Sequence, residues 1–442
     1  MEKGNKKIIK GWVFYDWANS VYNLVISSAI FPIFYDTVTT KSYLARVGRD
    51  ALKEGESATV IFFGQELSNS VLLSFVLSAS FLVVSILSPM LSGIADYTGS
   101  KKKFLRFFCY LGSFSCISLF WFSPEKIELG MLSLFFASIG FWNSLVFYNA
   151  FLPEIAEPKD HDKVSARGFT MGYFGSMILL ILCLVWIQVF KMPAAWCFIF
   201  VGIWWIGFSQ ITYRVLPNNV YSRKPKRGLW RGFRELLFVF KEFKQTHRLK
   251  RYLLAFFFFN TGVQTVMLMA TIFATKEIDW PEGGGSSGLI IAILLIQILG
   301  ALGAFVMSRL SGKIGNIYTL IISITIWIGI CAAAYVITTP VQFYILASCV
   351  GLVMGGVQAI SRSTYSKFLP ETRDHASYFS FYDATEKIGI VLGTFFFGII
   401  EHLTHSLRFS VLSVAAFFCI GFILLLIVPK NEKGLRKGYG VE

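Results

Sequence analysis

Charged residues are scarce in this sequence. Asp, Glu, Lys and Arg make up 15% of its 442 residues, whereas hydrophobic residues make up 55%, and the mean hydropathy is +0.60. Soluble domains carry about 25% charged residues, so a soluble protein of this composition could not cover its surface. The scarcity excludes an ordinary soluble domain and indicates that lipid is the solvent.

The sequence also lacks the motifs of common enzymes and metal sites. It contains no H-E-x-x-H, no G-x-S-x-G and no Walker sequence. Its seven cysteines form no C-x-x-C pair and have no histidine at metal-ligand spacing. We therefore expect no enzyme activity, no metal and no cofactor. Without a nucleotide site, any transport would draw on gradients.

Apolar runs long enough to cross a bilayer recur along the whole chain. A helix needs about 20 apolar residues to span the hydrocarbon. The hydropathy pattern predicts an all-α polytopic membrane protein of about twelve transmembrane helices. The predicted spans are 12–36, 67–94, 104–123, 129–152, 168–190, 195–215, 250–274, 287–308, 317–337, 341–361, 377–400 and 408–428.

The net charge of +15 comes from Lys and Arg between the spans. With a cytoplasmic N-terminus, 32 of the 41 basic residues fall inside and 8 outside. This is the positive-inside distribution of an integral membrane protein, so we expect no nucleic-acid partner. It predicts a multi-pass protein of a bacterial plasma (inner) membrane with both termini in the cytoplasm.

The longest inner segment, residues 216–249, is basic and lies in the middle of the chain. From Trp230 to Phe243, apolar residues stand at helical spacing among Lys and Arg. This is typical of an amphipathic helix on an anionic leaflet; a solvated tether is the alternative. The segment separates two predicted six-helix bundles, residues 1–215 and residues 250–442, the second with a short cytoplasmic tail.

The two bundles carry an internal repeat. The sequence Phe-Leu-Pro-Glu ends span four at 151–154 and follows span ten at 368–371, 217 residues later. A Ser and Gly pattern after span two returns after span eight at nearly the same offset. Six spans is an even number, so both halves enter the membrane in the same direction. The repeat predicts two parallel six-helix halves.

The loop after span two reads GIADYTGSKKK at 93–103. It resembles the major facilitator pattern G-x-x-x-D-x-x-G-x-[RK]-[RK]. Gly93 permits close helix approach, Gly99 permits a sharp turn, and Lys101 begins a run that anchors the loop. Asp96 can receive a cation or cap a neighbouring helix. The resemblance implies a conformational latch. In the second half Gly312 stands at the position of Asp96, so we expect that copy to be degenerate.

Three further segments give a more specific resemblance than the loop pattern. They read YDWANSVY at 15–22, FLPE at 151–154 and GVQAISRS at 356–363. They resemble the branch of major facilitators related to fungal vacuolar effluxers, whose bacterial members are called the unknown major facilitator family. The resemblance implies the major facilitator fold and efflux. It makes an amino acid or related metabolite the first cargo to consider.

Charged groups inside a span cost about 2.5–3.5 kcal/mol each on insertion scales and are usually functional or paired. Span eleven carries three, Asp383, Glu386 and Lys387. Spacings of three and four place them on one helix face, and Asp383 and Lys387 can pair. Glu386 is then the freer acid and the candidate for proton uptake. A structural salt bridge near the cytoplasmic mouth is the alternative.

Polar residues on two further spans are candidates for the central cavity. Asp16, Asn19 and Asn23 follow each other at three- and four-residue steps on span one. Asn260 and Gln264 stand four apart on span seven, which lines the cavity in the fold that the resemblance implies. The alternatives are that Asp16 favours its helix N-terminus electrostatically and that the amides bond between helices.

Two arginines are candidates for a gate at the inner ends of the spans. Arg362 ends span ten and Arg167 begins span five. Either can pair with an acid such as Glu154 or Glu371, and a positive-inside anchor is the alternative for both. These residues complete the predicted latch and gate.

The sequence thus predicts a secondary transporter of a small polar solute that works by alternating access. The expected partners are the solute, the lipid bilayer, and a proton or another coupling ion, and we expect a monomer. Two alternatives remain: a membrane solute sensor or transceptor, and a lipid-handling facilitator.

Overall fold

The computed structural model describes residues 3–53, 57–217, 237, 239–243, 246–281 and 285–429. Over this part of the chain, twelve helices are long and apolar enough to cross a membrane, which confirms the predicted number. Spans one to six are Lys6–Val47, Asn69–Thr98, Lys101–Trp121, Pro124–Ile155, Pro158–Gln188 and Trp196–Val215. Spans seven to twelve are His247–Glu277, Ser287–Ile314, Asn316–Val336, Pro340–Phe368, His375–Thr404 and Leu407–Leu426.

Span one is longer than predicted and is not a uniform helix. It consists of an α-helix over Lys6–Val21, a π-helix over Tyr22–Ala29 and a second α-helix over Ile30–Val47. Pro32 follows the π-helical turns and has no backbone N–H to continue the regular ladder. A π-helical stretch has more residues per turn than an α-helix. Residues 22–29 therefore do not follow the regular α-helical spacing that the sequence analysis assumes.

The segment after span one, which hydropathy leaves as a long outer loop at 37–66, contains regular structure. The helix continues to Val47, and strands β1 (Thr59–Phe62) and β2 (Gln65–Ser68) form an antiparallel hairpin. Arg46 donates to the carboxylate of Glu66 at 2.5 Å, so the hairpin is fastened to the end of span one. The backbone N–H of Phe63 at its tip donates to Glu128 at the start of span four.

Glycines set the packing within each half, and they do so in equivalent places. A Cβ on Gly172 of span five would meet the side chain of Ser20 on span one. A Cβ on Gly389 of span eleven would lie 2.6 Å from Oγ1 of Thr261 on span seven. Close helix approach over small residues is the usual mode of packing in membranes. Spans five and eleven thus pack on spans one and seven by the same device.

The central segment can be compared with its prediction only in part, because residues 218–236 lie outside the described residues. Residues 239–243 are helical, and Phe243 stacks on Phe381 with ring centroids 6.2 Å apart. Glu242 accepts a hydrogen bond from Tyr378. The described end of the segment therefore packs on the start of span eleven. The predicted tail after residue 429 also lies outside the described residues.

Candidate functional site

We call the inner end of the bundle the end where span one begins and span two ends. There the two halves meet around one arginine. Arg362 of span ten is 3% exposed, and its Nη2 donates to Oδ2 of Asp16 at 3.1 Å and to the carbonyl of Ser165 at 2.9 Å. Its Nε donates to Oγ of Ser165, and its Nη1 to Oδ1 of Asn149. Tyr148 donates to the same Asp16 oxygen at 2.7 Å. We call these five residues the Arg362 network.

Aromatic rings and one glycine surround the Arg362 network. The guanidinium carbon lies 4.2 Å from the ring centroid of Phe169 and 4.9 Å from that of Trp12. Such rings attract a cation through their quadrupoles. A Cβ on Gly168 would meet the Asp16 carboxylate and lie 2.8 Å from Nη2 of Arg362. Only a residue without a side chain leaves room for the pair.

The predicted partners of Arg362 are wrong, since it pairs with Asp16 and not with Glu154 or Glu371. Span one lies against span five because Gly168 and Gly172 admit it, and that contact places Asp16 under span ten. Arg167, the second arginine of the predicted gate, is exposed and takes no part in this network.

The loop after span two binds the start of span eleven. Asp96 accepts hydrogen bonds from the backbone N–H of Ser377 at 2.7 Å, from its hydroxyl at 2.8 Å, and from the N–H of Ala376 at 3.2 Å. It also lies 2.9 Å from the ammonium of Lys101. Asp96 therefore receives a cation and caps a helix of the other half, whose first N–H groups have no partner in their own helix. Gly99 ends span two with a φ of +68°.

Lys101 extends this contact. Its ammonium donates to Glu154 at 2.5 Å and to the carbonyl of Arg373 at 3.2 Å. The ring of His375 lies 3.1 Å from the same Glu154 oxygen. Gly93 is buried near the end of span two. Asp96, Lys101, Glu154, His375 and Ser377 form what we call the first latch.

The second half has a latch as well, which corrects the expectation that this copy is degenerate. Asp162, at the start of span five, accepts from Oγ of Ser311 at 2.9 Å and from Nδ2 of Asn316 at 2.7 Å. Lys367, near the end of span ten, donates to Asp162 at 2.6 Å. The loop acid missing at Gly312 is replaced by an acid on the facing span. We call Asp162, Ser311, Asn316 and Lys367 the second latch.

The acids of these inner contacts all belong to the same half of the protein. Asp16, Asp96, Glu154 and Asp162 belong to the first six spans. Their partners across the interface belong to the last six spans, namely Arg362, Lys367, His375 and the backbone N–H groups that begin span eleven. The two halves therefore attract each other at the inner end through complementary surfaces.

A separate group of charged residues lies near the middle of span eleven. The ammonium of Lys387 is 2.8 Å from Oδ1 of Asp383 and 3.8 Å from Oε2 of Glu386. It also lies 3.4 Å from the ring centroid of Trp142, which belongs to span four of the other half. Gln264 of span seven donates to Oε1 of Glu386 at 2.5 Å. We call these five residues the central cluster.

The remaining predicted cavity residues differ in their burial. Asn19 and Asn260 are buried, and their side-chain Nδ2 atoms have no hydrogen-bond partner within the described residues. Asn23, the second residue of the π-helix, is exposed. The structure therefore joins Gln264 to the charges of span eleven, but it places Asp16 in the Arg362 network.

Several residues of these clusters do not follow from the sequence spacing. Asp162 and His375 stand at helix starts, where charged residues are common, so nothing separates them from ordinary surface positions. Tyr148 directly precedes Asn149 before the repeated FLPE, which is the one local pointer to it. Trp142 lies mid-span, and an aromatic residue there resembles an ordinary lipid-facing or core side chain.

Comparison with known proteins identifies the family of this chain. The family model described as "Vacuole effluxer Atg22 like" matches residues 4–438. The chain belongs to the Atg22-like family. An uncharacterized MFS-type transporter of Bacillus subtilis, YxiO, is 31% identical over 98% of this chain and 97% of its own length. Autophagy-related protein 22-1 of Penicillium rubens is 22% identical over 97% and 91% of the two chains.

The fold of this Atg22-like chain is that of the major facilitators. The crystal structure of the human organic anion transporter MFSD10 superposes with a TM-score of 0.67 at 11% identity and covers 95% of this chain and 98% of that one. The family match, the 31% identical MFS-type relative and this fold together identify the Atg22-like chain as an integral membrane transporter of the major facilitator superfamily rather than an enzyme. The Arg362 network, both latches and the central cluster are parts of that transporter.

Proposed function

We propose that this protein is a secondary active transporter that moves a small polar solute across a bacterial plasma membrane by alternating access, with both termini in the cytoplasm. The halves at 1–215 and 250–442 rock against each other around the central cluster. The Arg362 network and the two latches close the inner end in the state described here, and cargo enters from the opposite side. An amino acid or related metabolite is the first cargo to test, with a proton as the coupling ion.

One observation carries the proposal: buried charges join the two halves at two different depths. At the inner end, Asp16 and Arg362 are both buried and belong to different halves. Near mid-span, Lys387 contacts Trp142 across the same interface. Breaking a buried ion pair costs about 3–5 kcal/mol, so such pairs suit a gate that must hold one state and then exchange its partners.

The cargo can be found before transport is assayed. A bound solute stabilises the folded protein by mass action. We would screen the purified protein by thermal shift against amino acids and related metabolites. A solute that raises the melting temperature is then tested by counterflow in proteoliposomes, where unlabelled solute inside drives transient accumulation of labelled solute. Counterflow does not require that the direction of transport be known.

Variants of single acids then test the mechanism. Glu386→Gln and Asp16→Asn should abolish proton-dependent uptake. Glu401→Gln is the matched control, because Glu401 lies on the same span as Glu386 but pairs with the exposed Lys276. Wild-type uptake and unchanged pH dependence in both variants would remove these acids from the mechanism. Solute binding without counterflow would favour a sensor, and counterflow of lipid alone would favour a lipid-handling facilitator.

A further inference from the structure

The ammonium of Lys387 occupies a site built for a cation. Two carboxylates of its own helix, Asp383 and Glu386, approach it at 2.8 and 3.8 Å. The ring of Trp142 covers it from span four at 3.4 Å. Lys387 is 1% exposed and Asp383 is 5% exposed. The combination of an aromatic face and carboxylates binds ammonium groups in general.

The charges in this site do not balance. Two carboxylates face one ammonium, and the other contacts, Gln264 and Trp142, are neutral. Within the described residues no second cation lies within ion-pair distance of either acid. An uncompensated buried charge is strongly destabilising. The site is therefore short of one positive charge when both acids are ionised.

The oxygen that lacks a partner can be identified. Glu386 accepts a hydrogen bond from Gln264 at Oε1, and its Oε2 lies 3.8 Å from the Lys387 ammonium, within ion-pair distance. Asp383 is served by Lys387 at Oδ1, whereas its Oδ2 is buried without a hydrogen-bond partner among the described residues. Buried polar atoms are rarely left unpaired. The unpaired buried oxygen belongs to Asp383, although the sequence spacing makes Glu386 the freer acid.

We propose that Oδ2 of Asp383 binds one additional positive charge during the transport cycle, carried by a proton or by the ammonium group of a cargo. The ammonium source rests on the proposed transport function, and the proton source does not. Lys387 holds the other oxygen, so the added charge completes the neutralisation of the cluster. Trp142 is a positioning residue, because it contacts Lys387 from the half that moves relative to span eleven.

Infrared difference spectroscopy tests the proton source without any cargo. Acidifying the purified protein should produce the carbonyl band of one protonated buried carboxyl group. Asp383→Asn should lose the band, and the control Glu401→Gln should keep it. Glu386→Gln should keep the band with its midpoint at lower pH, because removing a neighbouring anion favours the ionised acid. Lys387→Gln should move the midpoint of the band to higher pH by about 1–3 units, because removing a neighbouring cation favours the neutral acid.

A misfolded variant would lose the carboxyl band. Lys387→Gln is expected to keep the band and shift its midpoint, so misfolding cannot produce the expected result. The ammonium source is tested with methylammonium chloride at neutral pH. It should raise the melting temperature of the wild type but not of Asp383→Asn, with sodium chloride at equal ionic strength as the control.

Either response, lost in Asp383→Asn and kept in Glu386→Gln, supports the proposal and names the source. No response in both arms would overturn it, and so would a response that depends on Glu386 alone. A band that depends on Asp383 in a protein without counterflow would refute transport but not the charge site.

Discussion

Arg362 and Asp16 stand 346 residues apart in the chain and form a buried ion pair of 3.1 Å at the inner end of the bundle. Each belongs to a different half, so the pair exists only while the inner end is closed. Ser165 and Tyr148 hold the two groups in place. The opening of the inner end requires that both charges find other partners, in water or in protein.

Asp16→Asn should therefore open the inner end. Ala166 is buried against Ala304 and Ala359 of the other half, and a cysteine there would react with a maleimide only when the halves separate. Loss of a buried pair costs about 3–5 kcal/mol, so we expect Ala166→Cys to label at least tenfold faster. The exposed Cys349 and Cys419 would first be replaced by serine.

Arg167→Lys, at an exposed position of span five, is the control for this experiment and should leave the labelling rate unchanged. An equal rate in Asp16→Asn and its parent would show that the pair does not hold the inner end closed.

The second latch predicts that exchanging the charges of Asp162 and Lys367 in a double variant keeps the inner end closed. Lys367→Asp and Asp162→Lys should each accelerate labelling at position 166, because each leaves like charges facing one another. The double variant should restore slow labelling. Asn316 donates to Asp162 and accepts from Lys367, so its amide can turn over and serve the reversed pair. We expect a coupling free energy of about 0.5–3 kcal/mol, and additive effects would count against the latch.

The sequence predicts some of these features well, and the reasons are local. The twelve spans follow from apolar runs, and the bond between Asp383 and Lys387 follows from their spacing of four on one helix. The turn at Gly99, which ends span two, is also local, since Gly99 has a φ of +68°. Each of these features depends on neighbours in the chain.

The remaining features depend on contacts between distant spans. Arg362 had several acids within reach of its predicted end of the bundle, and hydropathy cannot choose among them. The second latch keeps its charges but moves the acid from the loop to Asp162, so a search for the loop motif finds only Gly312. The π-helix of span one is not predicted by any periodicity in the sequence.

The close packing around Gly168 predicts that a larger residue there is destabilising. A Cβ there would collide with the Asp16 carboxylate and with Arg362, and overpacking costs about 1–3 kcal/mol. Gly168→Ala should therefore lower the melting temperature and accelerate labelling at position 166. Gly207→Ala in span six is the matched control, since nothing lies within 4 Å of its Cβ position. It should be neutral or slightly stabilising, because alanine favours a helix over glycine. Equal effects of the two variants would argue against the steric account.

Trp142 gives a prediction about the coupling of the halves. Its ring holds the Lys387 ammonium from span four, and such contacts contribute about 0.5–2 kcal/mol. Trp142→Phe keeps a weaker aromatic face and should lose part of this free energy, whereas Trp142→Leu should lose all of it. The measurement is the melting temperature of each variant in the wild type and in Lys387→Met. If the ring acts on the charge, the order Trp, Phe, Leu appears only when Lys387 is present. If the ring acts through packing against Phe81, the same order persists in Lys387→Met, and Trp142 has no part in linking the halves through that charge.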